Sequence, residues 1–137
     1  MTRWRRSILA ADPTRKRRLV VGAAALALLS PLVCAAAEPV WLVVGGHATR
    51  GPALITAYGC GACHMVPGVK GAVGNVGPPL ARFGDRTYVA GMLRNSPSNL
   101  IRWIRDPQGV IPGNAMPDMG VTDADARDIA AYLYTLR

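Results

Sequence analysis

The stretch VPGVKGAVGNVGPP, residues 66–79, most constrains what this chain can fold into. It is rich in glycine and proline and shows no hydrophobic period across its fourteen residues, so neither a helix nor a strand is expected there. A loop of that length is unusual inside a small domain. A second stretch of the same character, QGVIPGNAMPDMGV, occupies residues 108–121. A phosphate cradle is a poor reading of the first loop: no strand precedes it, and no helix opening on Lys-Ser/Thr follows. The loop becomes reasonable if it wraps a bulky ligand that takes the place of secondary structure.

How small the domain is depends on the N-terminus. Seven of the sixteen Lys/Arg of the 137 residues fall within the first eighteen, and LVVGAAALALLSPLV follows at 19–33 without a charge. A basic region, an apolar run and the small residues Ala35 and Ala37 describe a secretory signal peptide over residues 1–37, cleaved before Glu38. Three variants of this reading exist. Residues 19–37 are marginally long enough to remain as a membrane anchor, with the basic flank inside and the rest outside the cytoplasm. Cys34 is a lipidation candidate, but Pro31-Leu32-Val33 lacks the small residue expected just before such a cysteine. Arg5-Arg6 is a possible twin-arginine pair. All three put the domain across the membrane, in the periplasm.

Removing residues 1–37 changes the charge argument. The whole chain is +8, but the remainder carries nine Lys/Arg and seven Asp/Glu, 9 − 7 = +2. No polyanion-binding surface is implied, so nucleic acid is not an expected partner. Residues 38–49, with Trp41, read as a linker, and 50–137 as the domain.

That domain reads as all-α. Arg50 to Tyr58 has Pro52 in a first-turn position and Leu54, Ile55 and Tyr58 on one face. Asp85 to Arg94, with Tyr88, Met92 and Leu93, is expected to form a short helix. Ser96-Pro97 reads as the N-cap and first residue of SPSNLIRWIR, which Asp106-Pro107 stops. Thr122 caps the last helix, with Asp123 and Asp125 in its first turn. Its stripe of Ile129, Tyr132, Leu133 and Leu136 is expected to pack on Gly51 and Ile55. Three or four short helices and one Phe make a thin apolar core, so something else must complete it.

The candidate is held by GCGACHM, Gly59 to Met65. Structural zinc requires four ligands in spaced pairs. After residue 37 the chain offers Cys60, Cys63, His64 and His47, with no second pair. A redox disulfide expects a βαβ pattern around C-x-x-C, and none surrounds this one. C-x-x-C-H is also the attachment motif for covalent haem. Two thiols three residues apart on a helical turn match the vinyl edge of the macrocycle, and His64 is then aimed at the iron. A second axial ligand is the test. Met116, in PGNAMP, is the favoured thioether, since His/Met ligation needs a rigidly placed side chain. Met119 is the alternative. Met65 and Met92 read as packing residues and His47 as solvent-exposed.

With these residues in view, the chain resembles the class I cytochromes c, small monohaem electron carriers. The resemblance runs from about Gly51 to Leu136 and rests on the order of CGACH, GPPL, NLIRWIRDP, PGNAMP and DIAAYL. It implies the cytochrome c fold, three to four short helices and long loops around one covalent haem c. By the same resemblance, Cys60 and Cys63 make the thioethers, and His64 and Met116 ligate iron. The Pro78 carbonyl would accept from the other nitrogen of His64. Leu80 would pack on the haem, and Arg86 would approach a propionate. Trp103 would stand on the distal side, where relatives often carry Tyr. Residues 100–137 also look like modules associated with haem–copper oxidases.

The implied function is one-electron transfer outside the cytoplasm by a monomeric, non-enzymatic carrier. Its partners would be a membrane quinol-oxidising or dehydrogenase complex and a terminal oxidase. One rival is an anchored subunit of such a complex, attached through residues 19–37. Another is a five-coordinate haem sensor or peroxidase, against which Met116 argues.

Overall fold

A computed structural model describes residues 42–137 of the chain. The signal peptide, the anchor and lipidation alternatives and Trp41 of the linker lie outside the described residues. Four helices and one small hairpin carry the architecture: α1 (Gly51–Ala57), β1 (Tyr88–Val89), β2 (Leu93–Arg94), α2 (Pro97–Arg105), α3 (Pro107–Val110) and α4 (Asp123–Thr135).

The helix boundaries follow from their caps. Ser96 is extended, and its hydroxyl accepts the Asn99 amide at 3.4 Å, with Pro97 opening α2. Thr122 does the same for α4, accepting the Asp125 amide at 3.2 Å. Each such bond satisfies an amide that the first helical turn cannot. Leu100, Ile101 and Ile104 of α2 and Ala126, Ile129, Ala130 and Leu133 of α4 are buried.

Helices α1 and α4 cross where the sequence predicts. A Cβ on Gly51 would run into Tyr132 Cβ, so only glycine allows this approach. Ile55 (1% exposed) and Ile129 (2%) seal the contact. Beside it, the buried Asp128 carboxylate accepts the His47 amide at 2.7 Å. Its second oxygen faces Arg50 Nη1 at 3.0 Å, an ion pair without the alignment of a hydrogen bond. A charge this deep persists only because it is paired.

Two expectations are corrected. Residues 85–94 are not a helix. After a 3-10 turn at Phe83–Asp85 they form the β1–β2 hairpin, with Tyr88 opposite Arg94 and Val89 opposite Leu93. Ala90 (φ 52°) and Gly91 (φ 72°) are both left-handed, the signature of a tight hairpin turn whose twist matches its strands. Burial explains the choice: Val89 goes inside, while Tyr88 and Met92, which a helix would have put on one face, are exposed. The second loop also begins later than residue 108. Asp106 ends α2 and then caps α3, accepting the Gly109 amide at 2.7 Å. The Asp106-Pro107 pair therefore starts a helix as well as stopping one.

No helix among the described residues is long and apolar enough to cross a membrane.

Candidate functional site

The site begins where α1 stops. Gly59 is left-handed (φ 70°) and turns the chain into a 3-10 turn at Cys60–Ala62. The amides of Cys63 and His64 both reach back to the Cys60 carbonyl, at 3.2 and 2.9 Å. The motif is therefore wound as a single helical turn, with both cysteines and the histidine along it. Cys60 and Cys63 are unbridged and half-buried. Burial pushes the Cys60 thiol above its ordinary range, against a lowering backbone hydrogen bond, with a smaller push from Cys63. Among the described residues no group of three or more His, Cys, Asp or Glu is placed to hold a metal ion.

The long first loop is laid against this turn by backbone bonds. Gly74 donates to Gly61 at 3.0 Å, Gly77 to Cys63 at 2.8 Å and Leu80 to Met65 at 2.8 Å. Met65 and Val73 form an isolated antiparallel bridge. The strap passes so close to the His64 ring that a Cβ on Gly77 would overlap it. The next residue, Pro78, places its carbonyl 2.8 Å from His64 Nδ1. A carbonyl only accepts, so the ring proton sits on Nδ1 and the lone pair is left on Nε2. That is the tautomer a metal-ligating histidine needs.

The other site residues are placed as follows. Leu80 is half-buried against the core. Arg86 donates to the carbonyls of Pro79 and, at 3.1 Å, Ala81, and stacks 5.3 Å from the Phe83 ring centroid. It thus braces the strap beyond Pro78. Trp103 is half-buried on α2, beside the core. Met116 is half-buried, whereas Met119 is 38% exposed. Met65 and Met92, read from sequence as packing residues, are instead exposed at 48% and 67%. His47 is exposed as expected. A surface hollow of about 810 Å³ lined by Leu42, Val43, Ile101, Arg102, Val121 and Arg127, among others, shares no residue with this set.

Two residues at the second loop, Gln108 in α3 and Asn114 in the loop itself, were not anticipated. The Gln108 and Asn114 side chains bond the backbone on both sides of Met116. The only signal for them in the sequence was the type of residue: amides in or beside a loop whose backbone had no ladder to join.

A family model described as "Cytochrome c" matches residues 48–137. The chain belongs to the cytochrome c family. Among its relatives is a cytochrome c oxidase subunit 2 of Alkalihalophilus pseudofirmus, 40% identical over 93 residues, which cover 66% of this chain and 26% of that protein. Cytochrome c2 iso-2 of Magnetospirillum fulvum is 36% identical over 92 residues, 58% of this chain and 95% of that one. Cytochrome c-552 of Nitrosomonas europaea is 33% identical over 104 residues, 70% of this chain and 87% of that one. The chain spans about a quarter of the length of the oxidase subunits it matches. No solved structure matches it significantly.

The cytochrome c fold, its short helices and long loops, and its covalent cofactor, haem c, follow from this membership. Proteins of the family carry electrons. The residues present fit the group. Two unbridged thiols and a histidine with its lone pair on Nε2 lie on one turn. The half-buried Leu80 and Trp103 supply apolar surface near the core, and a thioether side chain is half-buried in the second loop.

Proposed function

We propose that this cytochrome c is a one-electron carrier working outside the cytoplasm, with its haem joined to Cys60 and Cys63 and ligated by His64 and Met116. The observation that carries this reading is the His64 Nδ1–Pro78 carbonyl bond of 2.8 Å beside two unbridged cysteines. When bound, the haem supplies an iron that takes up and gives back one electron without making or breaking a bond to substrate.

The chain's own residues do the rest. Pro78 holds the His64 ring in one orientation and makes Nε2 a stronger donor. Met116 would supply the second protein ligand to the iron, and a His/Met pair raises the reduction potential. Leu80 and Trp103, packed beside the core, would help to keep water from the haem. Arg86, already braced on the strap, lies within the segment that would meet a propionate. The exported location rests on the sequence pattern of residues 1–37.

The partner face is the strap over the cysteine turn. Val73 (74% exposed), Val76 (75%) and Met65 (48%) stand out from it, and Lys70 is its one charge between Gly59 and Leu80. Contact with a quinol-oxidising or dehydrogenase complex on one side and a terminal oxidase on the other is then apolar, with weak dependence on salt. The carrier works as a monomer. A second reading, a membrane-attached subunit held by residues 19–37, is favoured by the match to oxidase subunit 2. It keeps the chemistry and removes the mobility. The mass of the purified protein separates the two, since cleavage before Glu38 deletes the anchor.

The test is a reduced-minus-oxidised spectrum of the exported protein with and without carbon monoxide. A low-spin haem that ignores carbon monoxide is expected. Rapid binding would overturn six-coordination and favour a sensor or peroxidase. Met116→Ala should open the site to carbon monoxide and lower the potential. The same result from Met119→Ala, and not from Met116→Ala, would move the ligand to Met119.

A further inference from the structure

Ile111 to Val121 belongs to no helix or strand, so its backbone has no ladder to satisfy it. Every buried amide and carbonyl must nevertheless find a partner. Six side-chain hydrogen bonds from two residues, five of them ending on this segment and one on Pro107, serve it. Gln108 Nε2 donates to the Asn114 carbonyl at 3.0 Å and the Met116 carbonyl at 2.7 Å. Gln108 Oε1 accepts the Gly113 amide at 3.1 Å. Asn114 Nδ2 donates to the carbonyls of Pro107 and Ile111, both at 2.7 Å. Asn114 Oδ1 accepts the Met116 amide at 2.7 Å.

The amide orientations are over-determined. Each NH₂ group faces two carbonyls and each amide oxygen faces an N–H, so flipping either group would set like against like. Both side chains are half-buried. The post they grip is firm: Pro107 is fully buried, and α3 is capped by Asp106.

Two of the six bonds end on a single residue, Met116, one on its N–H and one on its C=O. We infer that Gln108 and Asn114 are positioning residues, which hold Met116 so that its thioether can ligate the haem iron against displacement by competing ligands. The inference rests on Met116 being the distal ligand. The bonds fix the Met116 backbone from which the thioether is presented, and any loop movement that carries the thioether away breaks them. A typical buried hydrogen bond shifts an equilibrium by about fivefold, so losing the three made by Gln108 should shift ligand exchange by roughly tenfold to a hundredfold.

The test uses the ferric holoprotein and imidazole as the competing ligand. The readout is loss of the far-red charge-transfer band that an Fe(III)–thioether bond gives. Gln108→Met, which keeps length but removes all three bonds, should lower the imidazole concentration for half-displacement by at least tenfold. Asn114→Asp keeps the acceptor for the Met116 amide and loses both donors, so its effect should be in the same direction and smaller. Asp118→Ala, in the same loop without such bonds to Met116, should leave displacement unchanged.

Wild-type displacement in Gln108→Met would overturn the inference. Failure of the underlying reading looks different: the far-red band would then survive Met116→Ala. A measurement on the unaltered protein guards against variants that do not fold. Amide hydrogen exchange at Met116 should be slow, because its N–H is bonded to Asn114. Exchange at Met116 as fast as at a solvent-facing loop amide such as Ala115 would overturn the inference as well.

Discussion

The two long loops look alike in sequence and are built differently. Both are rich in glycine and proline, and neither has a hydrophobic period. The first, residues 66–79, is fastened to the cysteine turn mainly by backbone pairs, Gly74 to Gly61 and Gly77 to Cys63. The second, from Ile111 to Val121, is fastened by the side chains of Gln108 and Asn114. A loop that bonds through its backbone must lie close to its neighbour, so it needs small residues at the points of approach. A loop that bonds through amide side chains stands off, and it needs the amides instead. The first is therefore sensitive to added volume and the second to lost hydrogen bonds.

The same substitution in both loops breaks or sharpens that contrast, and the strap carries the largest expected effect. Gly77→Ala puts a methyl into the His64 ring. It should cost about 3 kcal/mol of stability in denaturant unfolding, with poor haem incorporation. A Gly77→Ala holoprotein of normal yield and stability would show that the strap is not pressed on the ring.

Next in size is Tyr134→Phe. The Tyr134 hydroxyl donates to Asn95 Oδ1 at 2.7 Å, and Asn95 Nδ2 in turn holds the carbonyls of Phe83 and Arg86 at 3.1 and 2.9 Å. This is amide fastening again, on the approach to the hairpin. Losing the hydroxyl leaves Asn95 Oδ1 unpaired and should cost about 1.5 kcal/mol. Burial pushes the Tyr134 ionisation up to about 12. Its folded value lies above the unfolded one, so its contribution is complete below about pH 10 and lost as pH rises toward 12. Unfolding midpoints taken across that alkaline window should fall more steeply for the wild type than for Tyr134→Phe.

Gly113→Ala, in the second loop, should be milder than its counterpart in the strap. Gly113 is left-handed (φ 77°), but nothing lies within 4 Å of its added Cβ. Only backbone strain remains, about 1 kcal/mol. A cost equal to that of Gly77→Ala would erase the distinction between the loops.

The smallest effect belongs to the surface. Hydrogen bonds from Tyr58 and then Thr122, with Arg50 nearby, hold the Asp125 carboxyl below its usual range. Its contribution is present above the unfolded carboxylate range and lost as pH falls through the folded one. The difference in melting temperature between wild type and Asp125→Asn should therefore be small at neutral pH and vanish in acid.

The parts of the fold legible in the sequence were those governed by local chemistry. Ser96 and Thr122 cap their helices because hydroxyls before a helix do so anywhere. The Gly51–Tyr132 crossing followed from helical periodicity, and Cys60, Cys63 and His64 wind as one turn because the motif spacing admits it. The hairpin at Tyr88–Arg94 was not legible. Its period was ambiguous over so few residues, and the core chose Val89 over Tyr88 and Met92. The roles of Gln108 and Asn114 were hidden for another reason. Their partners are backbone groups, which the letters of the sequence do not distinguish.

The central proposal is that two side chains would ligate the iron, His64 beside the strap and Met116 in the clamped loop. Iron-edge X-ray absorption of the holoprotein tests it directly. One sulfur scatterer beside nitrogen ligands is expected in both oxidation states, lost in Met116→Ala and kept in Met119→Ala. Nitrogen and oxygen ligands alone in the unaltered protein, or a sulfur that survives Met116→Ala, would contradict the account.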